Sequence, residues 1–306
     1  MPVKRKLIKQ GGSGLTMYVP KKWIEKKGLK SGDELDVEEI NGGLLLSTEK
    51  VAERRETSIQ LTGSVESSTA TMIMNTYRLG FDIIHVSFKN KEQLKYIERT
   101  VRTRCIGFEI TRKTEHSCTI ESITEPAADQ FAVILEKILH SITHMFEITL
   151  ERAEGKEPFE HYDELEDRMQ QYGNFCRRVI AKKQAIEGHA QLYWTFLTLI
   201  NHAQRSIFLL NKWVLDKQKS ALNEDILVYM KEALEFYQLF KKAYFKKEMK
   251  LLEQLHEQEK HLVGIRGHEL LSTHPKQSEA VKYIIDSIRF TYLSVSPLMG
   301  MYVPTA

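Results

Sequence analysis

KQGGSGLTMYVPKKWIEKKGLKSGDEL, residues 9–35, sets glycines, a proline and a string of lysines side by side near the start of a 306-residue chain. A short strand over residues 5–9 leads into it. Gln10-Gly-Gly-Ser-Gly14 reads as a turn, because its glycines permit positive φ and close approach of the backbone. Residues 15–19 form the returning strand. Pro20 then occupies the place of a first helical residue, KKWIEKK supplies about two turns, and Gly28 is a natural stop. Two more strands follow over residues 35–39 and 44–47, on either side of an Asn41-Gly42-Gly43 hairpin turn. The order is ββαββ. So few large apolar side chains cannot fill a core over about 45 residues, so a second copy of the chain is expected to complete it.

Charge divides this unit in two. Residues 1–30 hold Lys4, Arg5, Lys6, Lys9, Lys21, Lys22, Lys26, Lys27 and Lys30 against Glu25, a net +8. Residues 31–50 hold six acids against Lys50, a net −5. The whole chain carries only +3, so its distribution matters more than its total. A basic half beside an acidic half draws polyanions to one face. Arg5, Lys6 and Lys9 flank a turn made for close approach, and lysines suit phosphate. Lys26, Lys27 and Lys30 read as solubilising charge. Arg5 is the one arginine here able to make the bidentate pair with guanine that reads sequence.

The run RKLIKQGGSGLTMYVPKKWIEKKGLKSGDELDVEEINGGLLLST resembles a SpoVT/AbrB-type swapped-hairpin DNA-binding domain. Val19-Pro20 and Gly32-Asp33 are its most specific matches. The resemblance implies that two chains interlock their hairpins as a dimeric barrel, with DNA contacts carried by Arg5, Lys6 and Lys9 together with Lys21 and Lys22. Ile24 and Glu25 stand where the bacterial regulators place arginines.

The length allows about two domains, and 42 % hydrophobic residues are enough to bury cores. The longest strongly apolar stretch, LYWTFLTLI, is far below the ~18 residues of a membrane span, and a cytoplasmic protein is expected. Cys105, Cys118 and Cys176 are odd in number and without a CxxC pair, so they read as reduced thiols rather than as disulfides or a zinc ribbon.

After a polar connector, residues 57–124 alternate as βαβαββ, a small α+β layer. His85 and His116 stand alone in it, and Arg99, Arg102 and Arg104 read as one helix face. From residue 126 the apolar period is helical. Six segments are predicted, over residues 127–153, 159–184, 189–217, 224–247, 249–272 and 276–293, as an antiparallel bundle or two three-helix bundles in series. Phe196, Ile200, Ala203, Ile207, Leu210 and Val214 make the third segment the most apolar.

The full order resembles the archaeal form of the phosphate uptake regulator, in which a PhoU-like pair of three-helix repeats follows an AbrB-type domain. The fold class expected is therefore multidomain α+β: a dimeric ββαββ swapped-hairpin barrel over residues 1–50, the small βαβαββ unit over 57–124, and a PhoU-like six-helix region over 126–304. The resemblance implies a DNA-binding transcriptional regulator of phosphate uptake. Its alternative is an adaptor that acts by protein contact on a phosphate transporter ATPase or a regulatory kinase.

Members of that family carry an E/D-x-x-x-D metal motif on the second and fifth helices. Asp163 and Asp167 have its spacing, yet helical geometry sets them opposite the stripe of Leu165, Met169, Tyr172, Cys176 and Val179 and so toward water. Glu257 and His261 stand likewise opposite Leu251, Leu255, Leu262 and Ile265. Glu136, His140, His144 and Glu147 share one helix side with spacing suited to iron or zinc, but that side is the polar one. Glu259 and Arg266 fall inside the apolar arc of the fifth segment and are expected to form a half-buried polar contact. No Ser/His/Asp set, phosphate-cradling glycine loop or HExxH is found, so an enzyme is not expected. A metal-dependent hydrolase would need bound iron or zinc.

Overall fold

The computed structural model describes residues 5–9, 14–40, 43–47, 54–63, 65–124, 130–182, 189–216 and 221–303. The chain divides into two compact units, Met1–Glu53 and Arg54–Thr305. The fold is mixed α+β and mostly helical.

In the first unit β1 (Ile8–Lys9) pairs antiparallel with β2 (Leu15–Thr16), Ile8 opposite Thr16. The sequence predicts longer strands, but only these two positions on each side find a partner. Most of the Gln10–Gly14 turn lies outside the described residues. Helix α1 (Lys21–Lys27) begins directly after Pro20, whose carbonyl accepts from the Trp23 and Ile24 N–H groups, and ends at Gly28 with φ +62°. That left-handed angle is why glycine stands there. Strands β3 (Asp36–Ile40) and β4 (Gly43–Ser47) then pair antiparallel around residues 41–42, giving the expected ββαββ order. The two hairpins form separate two-stranded sheets. No described side chain in this unit is buried.

The second unit opens with β5 (Glu56–Gln60), α2 (Glu66–Arg78), β6 (Ile83–Ser87), α3 (Lys91–Arg104), β7 (Phe108–Lys113) and β8 (Ser117–Ser122). This is the βαβαββ order read from the sequence. The sheet runs β5-β6-β8-β7, with β5 and β6 parallel and the other neighbours antiparallel. Helix α2 makes the crossover that a parallel pair requires. Alternation along the strands sends Ile84, Val86, Cys118 and Ile120 into a core with Ile73, Tyr77 and Ile97 of the helices. Asn90 caps α3 by accepting from the Gln93 N–H at 2.9 Å.

The helical half comprises α4 (Gln130–Ala153), α5 (Tyr162–Ala181), α6 (Ala190–Leu215), α7 (Glu224–Lys246), α8 (Met249–His261), α9 (His268–Thr273), α10 (Ser278–Leu293) and α11 (Val295–Met301). Helices α4, α5 and α6 pack on one another, as do α7, α8 and α10. Contacts of α6 with α10 and of α4 with α7 merge the two groups around one continuous core. Five of the six residues of the third-segment stripe are buried, Val214 partly.

The fifth predicted segment is not one regular helix. A π-helical stretch, Leu262–Gly267, joins α8 to α9. It inserts extra residues into the turn, so Leu262, Val263, Gly267 and Leu270 face inward while Ile265, expected in the stripe, is 61 % exposed. The Tyr229 hydroxyl donates to the Leu262 carbonyl at 2.9 Å, satisfying a group that the altered ladder would otherwise strand. Arg266 consequently meets Glu232 of α7 at 3.3 Å, and not Glu259 as its spacing implies.

Candidate nucleic-acid interface

The basic side chains singled out in the sequence fall on two elements of the first unit. Arg5, Lys6 and Lys9 are exposed at and before β1. Lys21 and Lys22 are exposed in the first turn of α1, which carries no acid of its own. Lys21 lies 3.8 Å from Glu25 one turn on, with both side chains mostly in solvent. Such a pair is worth little and leaves the ammonium available to a phosphate. Lys26 and Lys27 sit in the last turn, where they complement the helix dipole. The loop before β3 is fixed differently: the Lys30 N–H donates to Asp33 Oδ2 at 2.7 Å and the Asp33 N–H to the Lys30 carbonyl at 3.1 Å.

Several apolar side chains are as open here as the basic ones, while Trp23, Ile24, Leu29, Leu35 and Leu46 are half-buried. Leu7, Leu15, Tyr18, Val37 and Leu44 are each more than half exposed. In the hairpin of β3 and β4 Val37 stands opposite Leu46, yet it stays more than half exposed.

The metal candidates do not converge. Glu136 and His140 are exposed on α4, His140 with its ring 5.6 Å from that of Phe245. His144 reaches Glu160 at 3.0 Å and Glu147 at 3.5 Å. Asp163 is exposed, as its spacing predicts, and Glu257 is too, with Lys260 at 3.0 Å. Asp167 departs from expectation: it pairs with Arg104 of α3 at 2.9 Å and is only half exposed. The face of α5 opposite its core stripe is covered by α2 and α3 instead of water. Among the described residues no three His, Cys, Asp or Glu side chains gather as a group able to hold a metal. No helix among them is long and apolar enough to cross a membrane.

That covered face of α5 carries the polar groups that sequence reading misses. Arg178, 1 % exposed, donates to the Tyr77 and Phe81 carbonyls at 3.2 and 2.7 Å and to Asp82 Oδ1. Lys182 donates to the same oxygen at 2.8 Å, and the Arg55 N–H to Asp82 Oδ2 at 3.0 Å. Burial would raise the Asp82 pKa, but these donors and the two cations outweigh it and hold the carboxyl below its ordinary value. The knot ties the end of α2 to α5. His85, read as solitary, lies between Glu56 and Thr119 on the open sheet face. Only neighbours far apart in sequence reveal either arrangement.

Compared with family models, with curated proteins and with solved structures, the chain finds no significant match.

Proposed function

We propose that the chain is a dimeric DNA-binding regulator whose first unit grips the nucleic-acid backbone and whose helical half receives a signal or docks a partner. The observation that supports this most is the pairing, in Met1–Glu53, of exposed Arg5, Lys6, Lys9, Lys21 and Lys22 with apolar side chains that nothing in the described unit covers. A second copy packed on the apolar side would double the cationic surface and set two hairpins at fixed separation, as duplex recognition by dimers needs. Phosphate uptake as the regulated process comes from the resemblance to AbrB-type domains fused to PhoU-like helices.

Electrostatic binding of this kind has a measurable signature. Each phosphate neutralised releases counterions, so log K falls with log salt by about 0.9 per phosphate. Duplex binding by the full chain should show a steep slope. Changing Arg5, Lys6 and Lys9 together to alanine should both weaken binding and flatten the slope, by about 0.9 for every phosphate that is no longer neutralised. Negligible, salt-insensitive binding would reject the proposal in favour of an adaptor working on a phosphate transporter ATPase or a regulatory kinase.

A further inference from the structure

Within one turn and a half of α5, three polar side chains are withdrawn from solvent: Asn174 is 0 %, Arg177 6 % and Arg178 1 % exposed. Arg178 has its counter-ion in Asp82. Its neighbour Arg177 has none among the described residues. Arg177 Nη1 donates to the Gly173 carbonyl at 3.1 Å, and the Trp194 indole centroid lies 5.9 Å from the guanidinium carbon. A guanidinium has five N–H donors, and a backbone carbonyl uses one of them without compensating the charge.

A second guanidinium approaches the same place. Arg78, the last residue of α2, donates from Nε to Asn174 Oδ1 at 2.8 Å and from Nη1 to Asn75 Oδ1 at 3.1 Å. Both acceptors are neutral amides. Asn174 is itself fixed by donating to the Arg104 carbonyl at 2.9 Å. Asn174 and Arg177, three residues apart, share a face of α5, so the group that Arg78 reaches for lies one turn from Arg177. The two cations feel each other: burial first, and the Arg78 charge second, bring Arg177 down to about 10. Arg78 is lowered by burial as well. Two like charges withdrawn from water with only neutral acceptors are costly unless a counter-charge joins them.

We infer that Arg78 and Arg177 together form a binding site for a small tetrahedral oxyanion of the phosphate class, held by guanidinium N–H groups beside the Trp194 indole. After these bonds Arg177 keeps four N–H donors and Arg78 three, enough to meet the oxygens of a tetrahedral anion, and a doubly charged ion balances two guanidinium charges. The 6 % exposure of Arg177 leaves an approach for a small ion rather than for a chain. The site lies within Arg54–Thr305, so it stands apart from the DNA-binding proposal.

The test uses the full chain with sodium phosphate or sodium sulfate, against sodium chloride at equal ionic strength, following melting temperature and tryptophan fluorescence. Phosphate or sulfate should raise the melting temperature saturably, by about 5 °C at concentrations far above Kd. Arg78→Met and Arg177→Met should each abolish the response, and Arg99→Ala, on an exposed pair with Glu66, should keep it. Arg177→Lys retains the charge without the fork, so it should fold normally and bind at least about tenfold more weakly. No saturable response to either anion, or an undiminished response in the Arg78 and Arg177 variants, overturns the inference.

Discussion

In Arg54–Thr305, Phe240, Tyr237 and Ile284 are sealed against one another at no more than 1 % exposure, whereas in Met1–Glu53 Leu15, Val37 and Leu44 stand about 60 % or more in solvent. Scarcity of large apolar residues in the first unit is one source of the contrast. Geometry is another: two short hairpins and a seven-residue helix leave no described side chain of this unit fully buried. Long helices in the second unit close on themselves and on α2 and α3 of the sheet layer. One unit carries its core with it; the other, under the proposed dimer, borrows one.

The strongest way to break the self-sufficient side of this contrast is to attack the knot between its sheet layer and its helices. Asp82→Ala takes from buried Arg178 and from Lys182 the carboxylate that both donate to and should cost about 3–5 kcal/mol, read as a shift of the main urea-unfolding transition of the full chain. Adding Arg178→Met to that variant should recover part of the loss, because much of the penalty lies in a buried charge that has lost its carboxylate and not in the missing contact. If the single change is nearly neutral, the sheet layer and the helices are held together without this knot.

The borrowed-core side is sharpened by Val37→Ser. As a side chain 59 % exposed in an isolated copy, it should alter stability by under about 0.5 kcal/mol. If a second copy covers it, the loss is about 1–2 kcal/mol per protomer, and the dimer dissociation constant measured by sedimentation should rise at least about tenfold. An unchanged dissociation constant, or a monomer in both variants, removes the idea that this unit finds its core in a twin.

What the sequence made legible follows the range of the forces involved. The ββαββ and βαβαββ orders, Gly28 as a helix stop and the boundaries of the long helices are local matters of turn chemistry and apolar period, and they are found where expected. The period fails where it is interrupted, at Leu262–Gly267, because a π turn is chosen by packing against Tyr229 and Ile285 and not by the residues inside it. It fails again on α5. One stripe is legible there, yet the helix is packed on two sides, and the second side is polar: Asp167, Asn174 and Arg178 reach partners about 60 to 100 residues away. For the basic residues the sequence supplies identity and exposure, while the partner they would meet is a question for the salt titration.

The smallest expected effect is one of pH, and it too separates the two units, since all three cysteines lie in Arg54–Thr305. Burial raises Cys105 to about 12, against the pull of nearby Arg178, Arg78 and Arg104; it raises Cys118 to about 11 and Cys176 to about 12. In the unfolded chain these thiols ionise near pH ~8.5. Above that value the unfolded state gives up protons that the folded state keeps, so it binds fewer, and stability must fall as pH rises from about 9 toward 11 and 12. The loss should reach about 2 kcal/mol per thiol by pH ~10. Buried tyrosines such as Tyr162 and Tyr237, also raised by burial, add to the fall only at higher pH. Cys105→Ala therefore isolates the effect: its stability should decline less steeply than that of the parent between pH ~8.5 and ~10, whatever its absolute value. Parallel declines would mean that the thiol ionises in the folded chain as readily as in the unfolded one, and that water reaches the core beneath α3.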